Sequence, residues 1–270
     1  MNPDDHHLPE LSVAALISRL SAMTSSINSR GPFALAFDGD GTLWSGDVSD
    51  DVFFAACEEE WFLQDARAPL VEALNGISEV GSGETLGAIA QKLFSAHASG
   101  KVDERRLFEA MTFCYAGRLA TEVTNYARQV LVRKGINERI RWGLVPLLDW
   151  ARREGHECFL VTASPAPIVE VPALNLGFAA DHIVASCATG VAGEILSHVV
   201  EPIPYREQKV AQLMRRVPGH RLLSAFGDSP FDIDLLRAAE LAVAVEPKPG
   251  LVQELRNLPK DRTVAWLVNR

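Results

Sequence analysis

Apolar residues recur at helical spacing from 11 to 27, in LSVAALISRLSAMTSSI, and predict a helix there. Gly31-Pro32 breaks the pattern. The next run, Phe33 to Phe37 (FALAF), is apolar at every position and ends at Asp38. A run with no polar side predicts a strand buried on both faces of a parallel sheet. From 47 to 140 the spacing is helical throughout, over 49–62, 66–75, 84–97, 103–117 and 121–134. Gly76, Gly81, Gly83, Gly100 and Gly135 punctuate these stretches, and no strand-like run appears among them. The block reads as an all-helical insertion.

Strand and helix then alternate. An amphipathic helix over 138–154 ends at Gly155 and leads to the strand CFLVT at 158–162. A helix over 166–176 precedes the strand HIVAS at 182–186, and the Gly- and Pro-punctuated stretch 188–204 has room for a hairpin. Helix 205–216, strand LLSAF at 222–226, helix 230–239, strand LAVAV at 241–245 and helix 249–257 complete the pattern. Such alternation implies right-handed crossovers and a mostly parallel sheet flanked by helices. The expected class is α/β: a Rossmann-like core from 1–46 and 141–270, with an inserted helical domain at 47–140.

Open α/β sheets bind ligands at the carboxyl ends of their strands. The residues there are Asp38-Gly39-Asp40-Gly41-Thr42 after the first strand, Thr162-Ala163-Ser164 after CFLVT, and Gly227-Asp228-Ser229-Pro230-Phe231-Asp232 after LLSAF. Four carboxylates crowded at one sheet edge repel one another, and burial of each alone is costly. A hard divalent cation with oxygen ligands offsets them, and Mg²⁺ suits a few carboxylates plus a phosphate oxygen. Lys209 adds a second positive group. Such a site favours a phosphate dianion and the charge that develops in phosphoryl transfer.

Composition narrows the partners. The 270 residues are 47% hydrophobic and 23% charged, enough apolar material for a sizeable core. Net charge is −9, from 35 acidic and 26 basic residues, which disfavours nucleic acid and anionic membrane surfaces as partners. Cys57, Cys114, Cys158 and Cys187 are widely spaced and suggest neither disulfides nor a zinc site. The N-terminal MNPDDHHLPE lacks the basic lead of a secretory signal, and no apolar stretch approaches the length of a membrane span. A cytoplasmic location is the expectation. Oligomeric state leaves no mark in the sequence.

The motifs resemble those of the haloacid dehalogenase superfamily of phosphotransferases. Four match in order: DGDGT at 38–42, Thr162 in FLVTASP, Lys209 in YREQKVAQL, and GDSPFD at 227–232. The helical block between the first two, and the stretch TASPAPIVEVPALNLGFAADHIVAS, look like the phosphoserine phosphatase-like branch with its helical cap. The resemblance implies a Mg²⁺-dependent phosphatase acting on a small phosphate ester. Asp38 is then the nucleophile that forms an aspartyl-phosphate, and Asp40 the general acid and base. The metal lies on the Asp38 carboxylate, the Asp40 carbonyl and Asp228, with Asp232 supporting its water shell or Lys209. Phosphate oxygens go to Thr162, the backbone at Ala163, and Lys209. The same scaffold leaves open a phosphomutase or phosphotransferase, or a binding protein without turnover.

The family pattern is departed from at four places. Lys209 follows Gln208 where Gly is usual, and Gly41 and Phe231 stand where phosphoserine phosphatases have Ser and Asn. Asp47 stands where they have a substrate-binding Glu. Asp47, Trp44 and Ser164 are candidate substrate contacts, set against a helix cap, hinge packing and an ordinary loop hydroxyl respectively. His156 and His182 flank strands and read as half-buried or surface residues, and Arg105, Arg106 and Arg118 as a solvated helix face.

Overall fold

The structure, a computed structural model, describes residues 8–26 and 32–266. Ile27 at the end of the first expected helix, Gly31 in the expected break, and the first seven residues of the N-terminal stretch lie outside them. The chain opens with α1 (Val13–Ser26) and β1 (Phe33–Phe37). Six helices follow: α2 (Val48–Glu58), α3 (Arg67–Ala73), α4 (Leu86–Ala98), α5 (Glu104–Phe113), α6 (Ala120–Arg133) and α7 (Ile136–Arg139). Then come α8 (Val145–Arg153), β2 (Glu157–Pro165), α9 (Ala166–Asn175) and β3 (Ile183–Ser186). A hairpin of β4 (Ala188–Val191) and β5 (Glu194–Val199) precedes α10 (Glu207–Arg216) and β6 (Arg221–Gly227). The chain closes with α11 (Ile233–Ala238), β7 (Leu241–Val245), α12 (Pro249–Leu255) and β8 (Thr263–Trp266).

Six strands form one parallel sheet in the order β3-β2-β1-β6-β7-β8, so β1 is central. Its FALAF sequence divides by the two-residue period of a strand. Phe33, Leu35 and Phe37 face one core layer, and Ala34 and Ala36 the other. The alanine side, joined by Ala225, Ala242 and Ala244, packs against Leu213 of α10, Leu235 and Leu236 of α11 and Leu251 of α12. Small residues there let these helices lie close. On the bulky side Phe37 stacks on Phe226 with ring centroids 4.3 Å apart. That layer takes Leu16 and Leu20 of α1 and continues into Val52, Phe53, Leu93, Leu107 and Val130 of the inserted helices.

Register carries the functional edge. Phe37 of β1 lies level with Leu160 of β2 and Phe226 of β6. Asp38, Thr162 and Asp228, one or two positions further on, therefore lie side by side at that edge.

Three elements differ from expectation. The helix expected over 138–154 is two, α7 and α8, because Ile140 is extended (φ −60°, ψ 132°) and bridges Trp44. The chain returns to the sheet at that point. Pro146 then opens α8, where its missing N–H costs nothing. β2 runs to Pro165 rather than Thr162. β8 was not expected. It pairs with β7, while Leu11 N donates to Ala265 O at 3.0 Å on its other side. The hairpin over 188–199 forms and is tied to the inserted helices: Gly117 N donates to Ile195 O at 2.9 Å, and Ile195 N to Arg118 O at 2.8 Å.

Candidate active site

Asp38 continues the β1 ladder, its N–H donating to Phe226 O at 2.9 Å. Its side chain meets Lys209, which the first turn of α10 brings over the sheet edge. Lys209 Nζ donates to Asp38 Oδ1 and to Asp232 Oδ1, each at 2.6 Å, and all three residues are buried. Asp232 Oδ2 in turn accepts from Asp228 N at 3.2 Å, Ser229 N at 3.0 Å and Ser229 Oγ at 3.0 Å. Both Asp232 oxygens are thus committed, and it acts as a buttress under the loop. Gly227 makes room for it, since a Cβ there would lie 2.5 Å from Asp232 Cβ.

Oxygens of Asp38, Asp228 and Asp232 lie within 4.8 Å of one another. Burial raises Asp38 well above the usual carboxylate range, the Asp232 charge adds to this, and Lys209 opposes it. Burial also raises Asp228, against a hydrogen bond from Lys248. For Lys209 burial works against the charge, but the two carboxylates outweigh it and its pKa rises. The net demand for positive charge and the all-oxygen donor set fit a small hard divalent cation. With Asp232 already committed, Asp38 and Asp228 are the side chains with oxygen to offer one.

Asp40 stands in a second cluster. Its Oδ1 accepts from Trp44 Nε1 at 2.7 Å and from Val48 N at 2.8 Å, and its Oδ2 from Ser164 Oγ at 2.7 Å. Burial raises its pKa and these three bonds hold it back. Ser164 N donates to Thr162 Oγ1 at 3.1 Å, so the strand-end threonine of β2 is joined to Asp40 through Ser164. Trp44 is fully buried and serves Asp40 rather than walling an open pocket. Asp47 caps α2, accepting from Asp50 N at 2.9 Å. Its pKa is pushed far up by burial and by the Asp40 charge.

The three arginines of the inserted helical stretch turn to structural partners. Arg105 pairs with Glu109 and with Glu201, each at 2.7 Å. Arg106 donates to Glu72 O at 2.9 Å. Arg118 donates to Trp61 O and lies over the Trp61 ring, 4.2 Å from its centroid. His156 is half-buried, edge-on to Phe33, and His182 stacks on Phe159.

Two residues at the site escaped the sequence reading. Lys248 Nζ lies 2.8 Å from Asp228 Oδ2. The strand-end rule points to it, because it follows β7 by three positions. Arg141 is buried and donates from Nη2 to Gly41 O at 3.0 Å and to Glu246 Oε2 at 2.8 Å. It fastens the loop after β1 to the loop after β7. No motif marks it, because its place depends on where the chain leaves the helical insertion.

The parallel sheet carries its acidic loops on neighbouring central strands, the arrangement of an α/β scaffold with its site at the strand ends. The chain belongs to the haloacid dehalogenase-like hydrolases, whose family profile matches residues 35–237. No curated protein matches it. Among solved structures, a Bordetella pertussis Tohama I protein with unknown function superposes with a TM-score of 0.63 at 20% identity, over 88% of this chain and 99% of that one. A conserved, functionally unknown protein from Anaerococcus prevotii gives 0.66 at 15% identity, over 97% and 93%. A substrate-bound phosphoserine phosphatase gives 0.52 at 15% identity, over 90% and 95%. At such identities the likeness is one of fold. Among the described residues no helix is long and apolar enough to cross a membrane.

Proposed function

We propose that the protein is a Mg²⁺-dependent phosphomonoesterase that hydrolyses a small phosphorylated metabolite through an aspartyl-phosphate on Asp38. The observation that carries this reading is the buried bridge of Lys209 between Asp38 and Asp232 beside Asp228. Lys209 holds Asp38 Oδ1, which leaves the other oxygen of that carboxylate for phosphorus, with oxygen donors for a metal alongside. Mg²⁺, held by the Asp38 and Asp228 carboxylates and the Asp40 carbonyl, supplies charge neutralisation for the phosphoryl group.

In the first step an Asp38 oxygen bonds to phosphorus as the ester P–O bond breaks, and Asp40 gives its proton to the leaving oxygen. In the second, water gives a proton to Asp40, its oxygen bonds to phosphorus, and the bond to Asp38 breaks. Lys209, Thr162 and the backbone at Ala163 bind the phosphoryl oxygens. Burial raises the pKa of Asp40, the direction that favours a group which must hold and give up a proton.

Residues 47–140 act in this reading as a helical cap over the site. Gly41 and Phe231 depart from the phosphoserine phosphatase pattern, and the panel of candidate substrates accordingly spans phosphoserine, phosphorylated amino alcohols such as phosphocholine, and sugar phosphates. The test is release of inorganic phosphate from a metabolite panel with Mg²⁺. The expected result is turnover that Asp38→Asn abolishes with the fold intact. Turnover retained in that variant, or transfer to an added acceptor in place of phosphate release, overturns the proposal.

A further inference from the structure

Asp40 is surrounded by donors. Trp44 Nε1 and Val48 N hold its Oδ1, at 2.7 and 2.8 Å, and Ser164 Oγ holds Oδ2 at 2.7 Å. An indole N–H and a backbone N–H can only donate, whereas a hydroxyl both donates and accepts. Oδ1 is therefore kept as an acceptor whatever the state of the carboxyl group. A proton on Oδ1 would face two N–H groups. Oδ2 has the one partner that suits it with or without a proton.

We propose that Oδ2 is the oxygen of Asp40 that exchanges the proton with substrate and water, and that Ser164 is the positioning residue that aims it. This rests on the phosphatase reading above and adds to it the identity of the reacting oxygen and of the residue that orients it. When Asp40 is a carboxylate, Ser164 donates to Oδ2. When Asp40 is an acid, the hydroxyl turns and leaves the Oδ2 proton free to pass to the ester oxygen as the P–O bond breaks. In the second step the proton released by water returns to Oδ2. Ser164 keeps its own proton throughout.

Ser164 is itself well fixed. It is 2% exposed, and its N–H is held by Thr162 Oγ1 at 3.1 Å. The register of β2 against β3 shifts between Val161 and Pro165, and the chain in that shift carries the hydroxyl to Asp40. A substrate-contact role for Ser164 requires its hydroxyl to face the ligand, whereas here it is spent on Asp40.

The experiment compares Ser164→Ala and Ser164→Thr with the wild type, with Mg²⁺, on phenyl phosphate and para-nitrophenyl phosphate. The two esters are nearly alike in size, but the nitrophenolate leaves with little help from an acid. Ser164→Ala is expected to lower kcat/KM about 10- to 100-fold on phenyl phosphate and less than about threefold on para-nitrophenyl phosphate. Inhibition by inorganic phosphate should be unchanged, and Ser164→Thr, which keeps the hydroxyl, should recover most of the loss. An equal loss on both esters, weakened inhibition by phosphate, or a threonine variant no better than alanine overturns the assignment. If wild type cleaves neither ester and releases no phosphate from the metabolite panel, the phosphatase reading itself fails and this inference falls with it. If wild type turns over and Asp38→Asn does not, only the role of Ser164 is at stake.

Discussion

A Cβ at Gly41 would lie 2.1 Å from Asp228 Oδ2, closer than any real contact allows. Gly41 has φ +86°, in the region L side chains seldom adopt. The loop after β1 can therefore cross the β6 carboxylate only with glycine at this position. Serine, which phosphoserine phosphatases carry there, would displace the Asp228 carboxylate.

Gly41→Ala should thus damage both the site and the fold. We expect at least a tenfold fall in kcat/KM, weaker Mg²⁺ binding by calorimetry, and a loss of about 1–3 kcal/mol in urea unfolding. Gly155→Ala is the control. Its φ is also positive, at +75°, but nothing lies within 4 Å of the added methyl. It should cost about 1 kcal/mol and leave activity unchanged.

Lys209→Met leaves two buried carboxylates without their cation. Breaking a buried pair by removing one partner costs about 3–5 kcal/mol, and urea unfolding without metal at pH 8 should show a loss of that order. The pKa of Asp38 is already raised in the wild type. Losing Lys209 raises it further, and protonation at lower pH then removes the uncompensated charge. The deficit should shrink at pH 5. A deficit equal at both pH values would show that the carboxylates left behind take up no proton in this range.

Asp50, near the start of α2, has its pKa pushed up to about 6 by burial and then by the charges of Asp40 and Asp51. A carboxyl raised on folding stabilises the folded state most below its unfolded pKa of about 3.9 and loses that contribution as pH rises through the folded value. Above pH 6 the charged Asp50 is therefore a burden. Asp50→Asn should stabilise the protein by about 1 kcal/mol at pH 8, a figure reduced for its contact with solvent. At pH 4 the gain should disappear. Thermal unfolding from pH 4 to 8 checks the sign.

Mg²⁺ binding to Asp38 and Asp228 should stabilise the folded chain. At a free concentration one hundred times Kd the gain is about 2.7 kcal/mol. At about 2–4 °C per kcal/mol for a chain of this size, the melting point should rise visibly. Chelation should reverse the rise. Asp228→Asn should abolish it, whereas Ca²⁺, which prefers more ligands at longer distances, should give a smaller one. An identical rise in Asp228→Asn would place the metal elsewhere.

Much of the site was legible because a parallel sheet turns one dimension into two. Once FALAF, CFLVT and LLSAF are read as neighbouring parallel strands, their carboxyl ends must share an edge, and Asp38, Thr162 and Asp228 follow. Lys209 was legible only through its place in the order of motifs. A lysine on a helix carries no local signal that it is buried, as this one is. The break at Ile140 was invisible for a related reason. The helical spacing runs through it, and only pairing with Trp44 draws it into extended form.

Strand periodicity and turn chemistry are local, so the chain by itself determined five of the six strands of the sheet, the run of inserted helices and the residues at the functional edge of the central strands. Side-chain partnerships across 100 or more positions are not local. The hydrogen bond from Ser164 to Asp40 spans 124 residues and that from Arg141 to Gly41 spans 100. The roles of Trp44 and Asp47 likewise turned on which group each faces once packed. A hydrogen bond depends on tenths of an ångström, and that precision arises only when the whole core has closed around it.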